Sequence, residues 1–142
     1  MKIFGIHNTT SVKNKIRHQV PKLHMDRSNG VINLNAKLLS LLEINRKDIA
    51  FVLFIQLDDG RIGLCKTKDS TIGIPIHWYK SDKRGRLFNS TMVDIIRDKH
   101  NIEKSDASLH ASFGDDPEVI KNYTVFIIKD VELYHRPLNT IE

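Results

Sequence analysis

Residues 30–59 read GVINLNAKLLSLLEINRKDIAFVLFIQLDD, and the way this stretch divides decides the fold. Val31, Ile32 and Leu34 make a short apolar strand, with Gly30 as the turn before it. Asn35 stands where a helix begins, because its side-chain oxygen can accept from an early helical N–H. Over residues 36–42, Leu38, Leu39, Leu41 and Leu42 cover one broad face of a compact helix. Glu43-Ile44-Asn45 ends it. Asp48 leads into residues 49–57, apolar almost throughout, which reads as a strand buried on both faces. Asp58-Asp59-Gly60 is a hairpin signal, since Asp-Gly tolerates the positive φ that a tight type I′ turn demands. Residues 61–67 return as the partner strand. Ile62, Leu64 and Lys66 fall on one side, Gly63 and Cys65 on the other.

The same order recurs from Gly85. Arg86, Leu87 and Phe88 form a strand. Asn89 or Ser90 caps a helix running to about residue 100, with Met92, Val93, Ile95 and Ile96 apolar. Residues 107–113 form the next strand, Gly114-Asp115-Asp116-Pro117 opens a longer loop, and residues 123–129 return. Set Gly30 on Gly85, with one gap before the asparagine, and Asn35 falls on Asn89. Leu38-Leu39 then falls on Met92-Val93 and Leu41-Leu42 on Ile95-Ile96. Residues 44–48 fall on residues 102–106, the second helix being longer by about one turn. A unit of roughly 40 residues cannot bury a core by itself. Two such units can, if their strands interleave. The expected fold is therefore mainly β with short helices, an α+β arrangement of two intertwined β-α-β-β units in one barrel-like domain.

The rest of the 142-residue chain is organised around this repeat. Residues 28–136 form the domain, with repeats at 28–67 and 85–130 joined by a linker at 68–84. Residues 137–142 are a tail. The net charge of +5 is concentrated at the start. Lys2, Lys13, Lys15, Arg17, Lys22 and Arg27 stand against Asp26 alone, and the rest of the chain is balanced. Residues 1–27 therefore read as a basic N-terminal arm, of the kind that contacts polyanions. Pro21 argues against a continuous helix there. A second basic cluster lies at residues 77–86, HWYKSDKRGR. Lys80, Lys83, Arg84 and Arg86 surround Asp82, beside Trp78 and Tyr79. Lys and Arg neutralise phosphates and an aromatic can stack on a base. Arg86 has the donors to read a guanine edge.

Other chemistry finds little support. The single cysteine, Cys65, permits no intrachain disulfide and no multi-cysteine metal site, and reads as a small buried hydrophobe. The seven histidines are scattered, and no pair has the spacing of a zinc helix. Asp58-Asp59 and Asp115-Asp116 sit at turns, where Asp is favoured for its own local hydrogen bonds. Phosphate-loop, nucleophile-elbow and dinucleotide glycine patterns are missing. The expectation is a non-enzymatic protein without metal, cofactor or small-molecule substrate. No run approaches the ~18 apolar residues of a membrane helix, and the N-terminus lacks a signal-peptide apolar region. A cytoplasmic location, or one inside a phage particle or infected cell, is expected.

The residues of the repeat resemble the AbrB-like, swapped-hairpin family of DNA-binding domains. In that family a glycine, often followed by Arg, opens a strand. A capped short helix ends Leu-Gly-Ile, polar residues run to Asp, and a hairpin closes the unit. Leu42-Glu43-Ile44 with Asn45-Arg46-Lys47-Asp48 is similar to the helix end, and residues 49–66 to the hairpin. Two units in one chain resemble the tandem arrangement of the MraZ type. That group carries Asp-x-x-Gly-Arg-Leu at the opening of the unit, and Asp82-Lys83-Arg84-Gly85-Arg86-Leu87 matches it residue for residue. In the first unit Val31 stands where that arginine would be, and Asn35 and Asn89 replace the usual Pro. The resemblance implies a DNA-binding regulator. Lys83, Arg84 and Arg86 would lie at the DNA-facing edge, with Lys80, Trp78 and the arm residues Lys13, Lys15, Arg17 and Arg27 as further contacts. Gly30, Gly60, Gly85, Asn35, Asn89 and Asp82 would shape the turns and caps. A structural or interaction module, such as a phage particle component in an oligomer or with a protein partner, is the other expectation.

Overall fold

The computed structural model describes residues 20–26, 30–78, 84–103 and 107–134. Strands β1 (Lys22–Asp26) and β2 (Val31–Leu34) lead into helix α1 (Ala36–Leu41), and β3 (Phe51–Gln56) and β4 (Ile62–Thr67) follow as a hairpin. β5 (Ile74–Pro75) and β6 (His77–Trp78) flank Ile76. β7 (Gly85–Phe88) leads into helix α2 (Ser90–Lys99), and β8 (Ser108–Phe113), β9 (Glu118–Ile120) and β10 (Tyr123–Tyr134) follow.

The strands pair in the order β5-β3-β4-β10-β8-β1-β2-β7-β6, with β9 attached to β10. Since β5 and β6 are one residue apart in the chain, the segment 74–78 joins the two ends of this path. The sheet is thus nearly closed into a barrel. Going round it, the pair β1–β2 is followed by β7 with β5/β6, then β3–β4, then β10–β8. Pairs from the first unit alternate with pairs from the second, so the two units are intertwined.

The ladder between β2 and β7 carries the signature of a pseudo-twofold relation. With Gly30 set on Gly85, Ile32 is the repeat equivalent of Leu87, and these two are direct antiparallel partners. On either side of them Val31 pairs with Phe88 and Asn33 with Arg86. An antiparallel ladder centred on two equivalent residues is what a twofold axis through it requires.

The helix ends repeat in the same way. Asn35 Oδ1 accepts from the Leu38 N–H at 2.9 Å, and Asn89 Oδ1 from the Met92 N–H at 3.0 Å. Both are N-caps that satisfy a helical donor otherwise left bare. At the C-termini Glu43 and Asn101 take φ of 58° and 56°. The next N–H then turns back, Ile44 to the Leu39 carbonyl and Ile102 to the Arg97 carbonyl. This is a left-handed stop made without glycine.

The core fills the barrel interior and the inner helix faces. Leu23, Met25, Ile32, Leu34, Leu38 and Leu64 are fully buried, together with Leu87, Val93, Ile96 and Leu109. Each such side chain contributes about 2 kcal/mol of transfer free energy. A second, smaller cluster lies on the outer face of β3, β4 and β10, where Cys65, Val125 and Ile127 are covered by Leu53, Ile55, Leu57, Ile120 and Tyr123. Gly63 serves that packing, because a Cβ there would collide with a Val125 methyl.

Four boundaries differ from the sequence expectation. The arm ends earlier: Lys22–Asp26 is a strand within the barrel, paired with β2 and β8. Its Leu23 and Met25 point inward between Lys22, His24 and Asp26. Five residues after a proline are too short a run for that alternation to stand out. The linker likewise supplies β5 and β6. In the second unit, residues 114–117 interrupt a strand rather than turn it, because β8 and β9 both pair with β10. The turn itself is at Lys121-Asn122, with Lys121 at φ 54°. Finally, Ile49 precedes β3 and is 93% exposed, so the apolar run there is longer than the strand.

Candidate nucleic-acid interface

The ladders bring one row of polar side chains across six strands. His77 on β6 pairs with Arg86 on β7, Arg86 with Asn33 on β2, and Asn33 with His24 on β1. His24 pairs with His110 on β8, and His110 with Glu132 on β10. Directly opposed residues share a face of the sheet. The neighbours Leu23, Met25, Ile32, Leu87 and Leu109 point into the core, so the row lies on the outer face.

Arg86 is half-buried in this row, and Arg84 is exposed just before β7. Arg84 is close enough to His24 to oppose its protonation. Phe88, two residues on from Arg86, is 50% exposed and meets His77 edge to face at 5.2 Å. Asn33 is 8% exposed, and its amide oxygen has no hydrogen-bond partner among the described residues. A buried acceptor left bare is costly unless something donates to it.

At the centre of the row His24 Nδ1 and His110 Nε2 lie 2.6 Å apart. One ring must donate to the other, so the contact holds one proton. Tyr134 stacks on His110 with ring centroids 4.3 Å apart and meets His24 edge-on. Burial lowers the His24 pKa, with Asp26 pulling the other way and Arg84 adding to the depression. His110 is pushed down to about 4, by burial first and then by His24 and Lys22. Both rings are therefore neutral at physiological pH.

Of the residues singled out in the sequence, Arg84 and Arg86 come together on this face. Trp78 does not join them. It packs on the core from the strand β6, and its indole N–H donates to the Asp48 carbonyl at 2.9 Å. The physical reason is the pleat: Trp78 pairs with Gly85, whose missing side chain leaves it room on the inward side. Lys80, Lys83, Asp82, Arg27, Lys13, Lys15 and Arg17 lie outside the described residues. Gly30 turns the chain ahead of β2 in the left-handed region. Its φ is 70°, a Cβ there would meet the Ser90 backbone at 2.8 Å, and its carbonyl accepts from the Asn89 N–H. Gly60 turns the β3–β4 hairpin at φ 93°.

The histidine pair and Asn33 escaped the sequence reading. His24 sits between Leu23 and Met25, and His110 between Leu109 and Ala111, so each occupies an outward strand position. Their partnership spans 86 residues and has no local signal. Among the described residues no three or more His, Cys, Asp or Glu side chains converge on one point. Among them, too, no helix is long and apolar enough to cross a membrane.

A second feature is the groove between the two hairpin tips, about 670 Å³ in volume. Ile55, Leu57, Ile120 and Tyr123 line it with Asp58, Asp59 and Glu118. Arg61 bridges its rim, reaching Asp59 at 2.7 Å and both Glu118 oxygens at 2.6 and 3.2 Å. Comparison with protein-family models, curated proteins and solved structures finds no match for this chain.

Proposed function

We propose that this protein binds duplex DNA through the outer face of β7, β2 and β1, as a transcriptional regulator of the AbrB-like, swapped-hairpin type. The observation that carries the reading is the alternation of hairpin pairs around the barrel, with the ladder of β2 and β7 at its pseudo-twofold axis. This is the intertwined architecture that the Asp-x-x-Gly-Arg-Leu resemblance leads one to expect. Arg86, and the exposed Arg84 just before its strand, lie to one side of that axis, with His77 paired to Arg86 as a hydrogen-bonding group. Guanidinium groups supply the phosphate contacts, and Arg86 also has the donors for a guanine edge. The basic arm adds sequence-independent attraction.

The test is fluorescence anisotropy with a labelled duplex at low salt and as salt rises. Affinity is expected to fall steeply, by orders of magnitude between about 50 and 200 mM salt if several phosphates are neutralised. Replacing Arg84 and Arg86 together by Gln is expected to weaken binding to any sequence. Undetectable binding at low salt, or binding indifferent to the double substitution, rejects the proposal.

A specific observation favours the second reading, a structural or protein-interaction module. The outer face of β3, β4 and β10 is apolar, and Ile72 and Val119 are exposed as well. On that reading light scattering detects a defined oligomer or partner complex, and the duplex has no effect on it.

A further inference from the structure

We propose that His24 and His110 form a chelating site for a first-row transition metal ion of the zinc, nickel or copper type. The site stands on backbone geometry. The two residues are direct partners on adjacent antiparallel strands, and the pleat turns both side chains to the outer face. Their ring nitrogens Nδ1 and Nε2 already face each other at 2.6 Å. In a tetrahedral site with metal–nitrogen bonds near 2.0–2.1 Å, two imidazole nitrogens stand about 3.3 Å apart. The rings therefore part by less than an ångström to admit the ion, and the proton they share passes through water to the other nitrogen of the ring that carried it, so both ligate as neutral imidazoles. No strand has to move for that.

The surroundings suit the exchange. Imidazole suits all three ions as a ligand. Only the neutral ring ligates, so the pair binds the ion through one lone pair from each imidazole. Tyr134 stacks on His110 and restricts its rotation. Asp26, two residues along β1, lies close enough to act electrostatically on His24, and Glu132 faces His110 from β10. Their negative charge favours a cation, against Arg84 and Lys22. The described residues bring no third strong ligand to the pair. The ion therefore keeps open positions for water or an exogenous oxygen ligand.

The experiment is calorimetric titration of the tag-free full chain with Zn²⁺ at pH 7.5. One equivalent is expected to bind. His24→Gln and His110→Gln are each expected to weaken it by about tenfold or more, as the loss of a ligand must exceed the loss of a supporting group. His100→Gln, elsewhere on the surface, serves as control and is expected to bind as the parent does. Should the substitutions compromise folding, the wild-type chain still decides the matter. Imidazole nitrogen resonances recorded with and without Zn²⁺ are expected to shift at His24 Nδ1 and His110 Nε2. No binding, binding unchanged in both glutamine variants, or unmoved resonances at those two nitrogens overturns the proposal.

Discussion

Arg97 is the residue that fits its surroundings least. It lies in α2 at 2% exposure, ion-paired to Asp94, with Nε and Nη1 lacking any partner among the described residues. Counted back from the C-terminal stop of each helix, Arg97 stands where Leu39 is buried in the first unit, although Leu39 falls on Val93 when counted from the N-caps. A charge thus occupies an aliphatic position, and each bare buried donor costs on the order of 1–3 kcal/mol. Arg97→Leu is expected to raise stability by roughly 1–3 kcal/mol, read as a higher midpoint in urea, because removing a poorly satisfied buried charge is often favourable. A loss of stability would mean that Arg97 has a role the hydrogen-bond geometry does not reveal.

The same scale governs the response to acid. His24 and His110 both have pKa values below the ordinary 6.5, so the fold prefers their neutral forms. Unfolding lets them take up protons from pH 6.5 downward. Their contribution is therefore complete above about pH 6.5 and is lost as pH falls from there toward about 4, where His110 titrates in the fold. Urea midpoints measured from pH 7.5 to 4.5 are expected to fall. In His110→Gln the decline is expected to be shallower.

At the scale of elements, two asparagines with the same cap role differ in what else they hold. Among the described residues the Asn89 side chain caps α2 and holds nothing else. Asn35 caps α1, accepts from the Lys22 N–H at 3.1 Å, and donates to the Val20 carbonyl at 2.7 Å. It thereby ties β1 to the first helix, through one side chain with three bonds. Loss of a cap costs about 1 kcal/mol. Asn89→Ala is expected to cost that much, and Asn35→Ala about two to three times as much, since two further part-buried hydrogen bonds go with it. Equal costs in denaturant titrations would count against the tie. The caps were legible in the sequence because capping is local, three residues from acceptor to donor. The bond from Asn35 to Lys22 was not, because it depends on β1 lying beside β2.

For the whole molecule, the alternation of hairpin pairs makes each unit dependent on the other. β1–β2 lies between β8 and β7, and β3–β4 lies between β10 and β5. The first unit alone has no contact between its own two hairpin pairs in the ladder. A fragment of residues 20–69 is expected to be unfolded by circular dichroism and amide dispersion, while the full chain melts in one cooperative transition. A fragment with native-like dispersion would refute the intertwined reading. How much of this was readable follows the range of the interactions. Strand, helix and hairpin within residues 30–67 come from periodicity, an N-cap and an Asp-Gly turn, each settled within a few residues. The short strands around residues 22–26 and 74–78 carry too few residues to show a period, and only their neighbours make them strands.

Sequence alone therefore determined the repeat, the caps, the first hairpin and the need for two units to share one core. The physical reason is that such features depend on alternation and on hydrogen bonds a few residues long. Tertiary structure alone decided that β1 belongs to the barrel, that Trp78 turns inward, and that His24 meets His110 across 86 residues. Those outcomes depend on the register between strands distant in the chain, which is set by how whole hairpins pack.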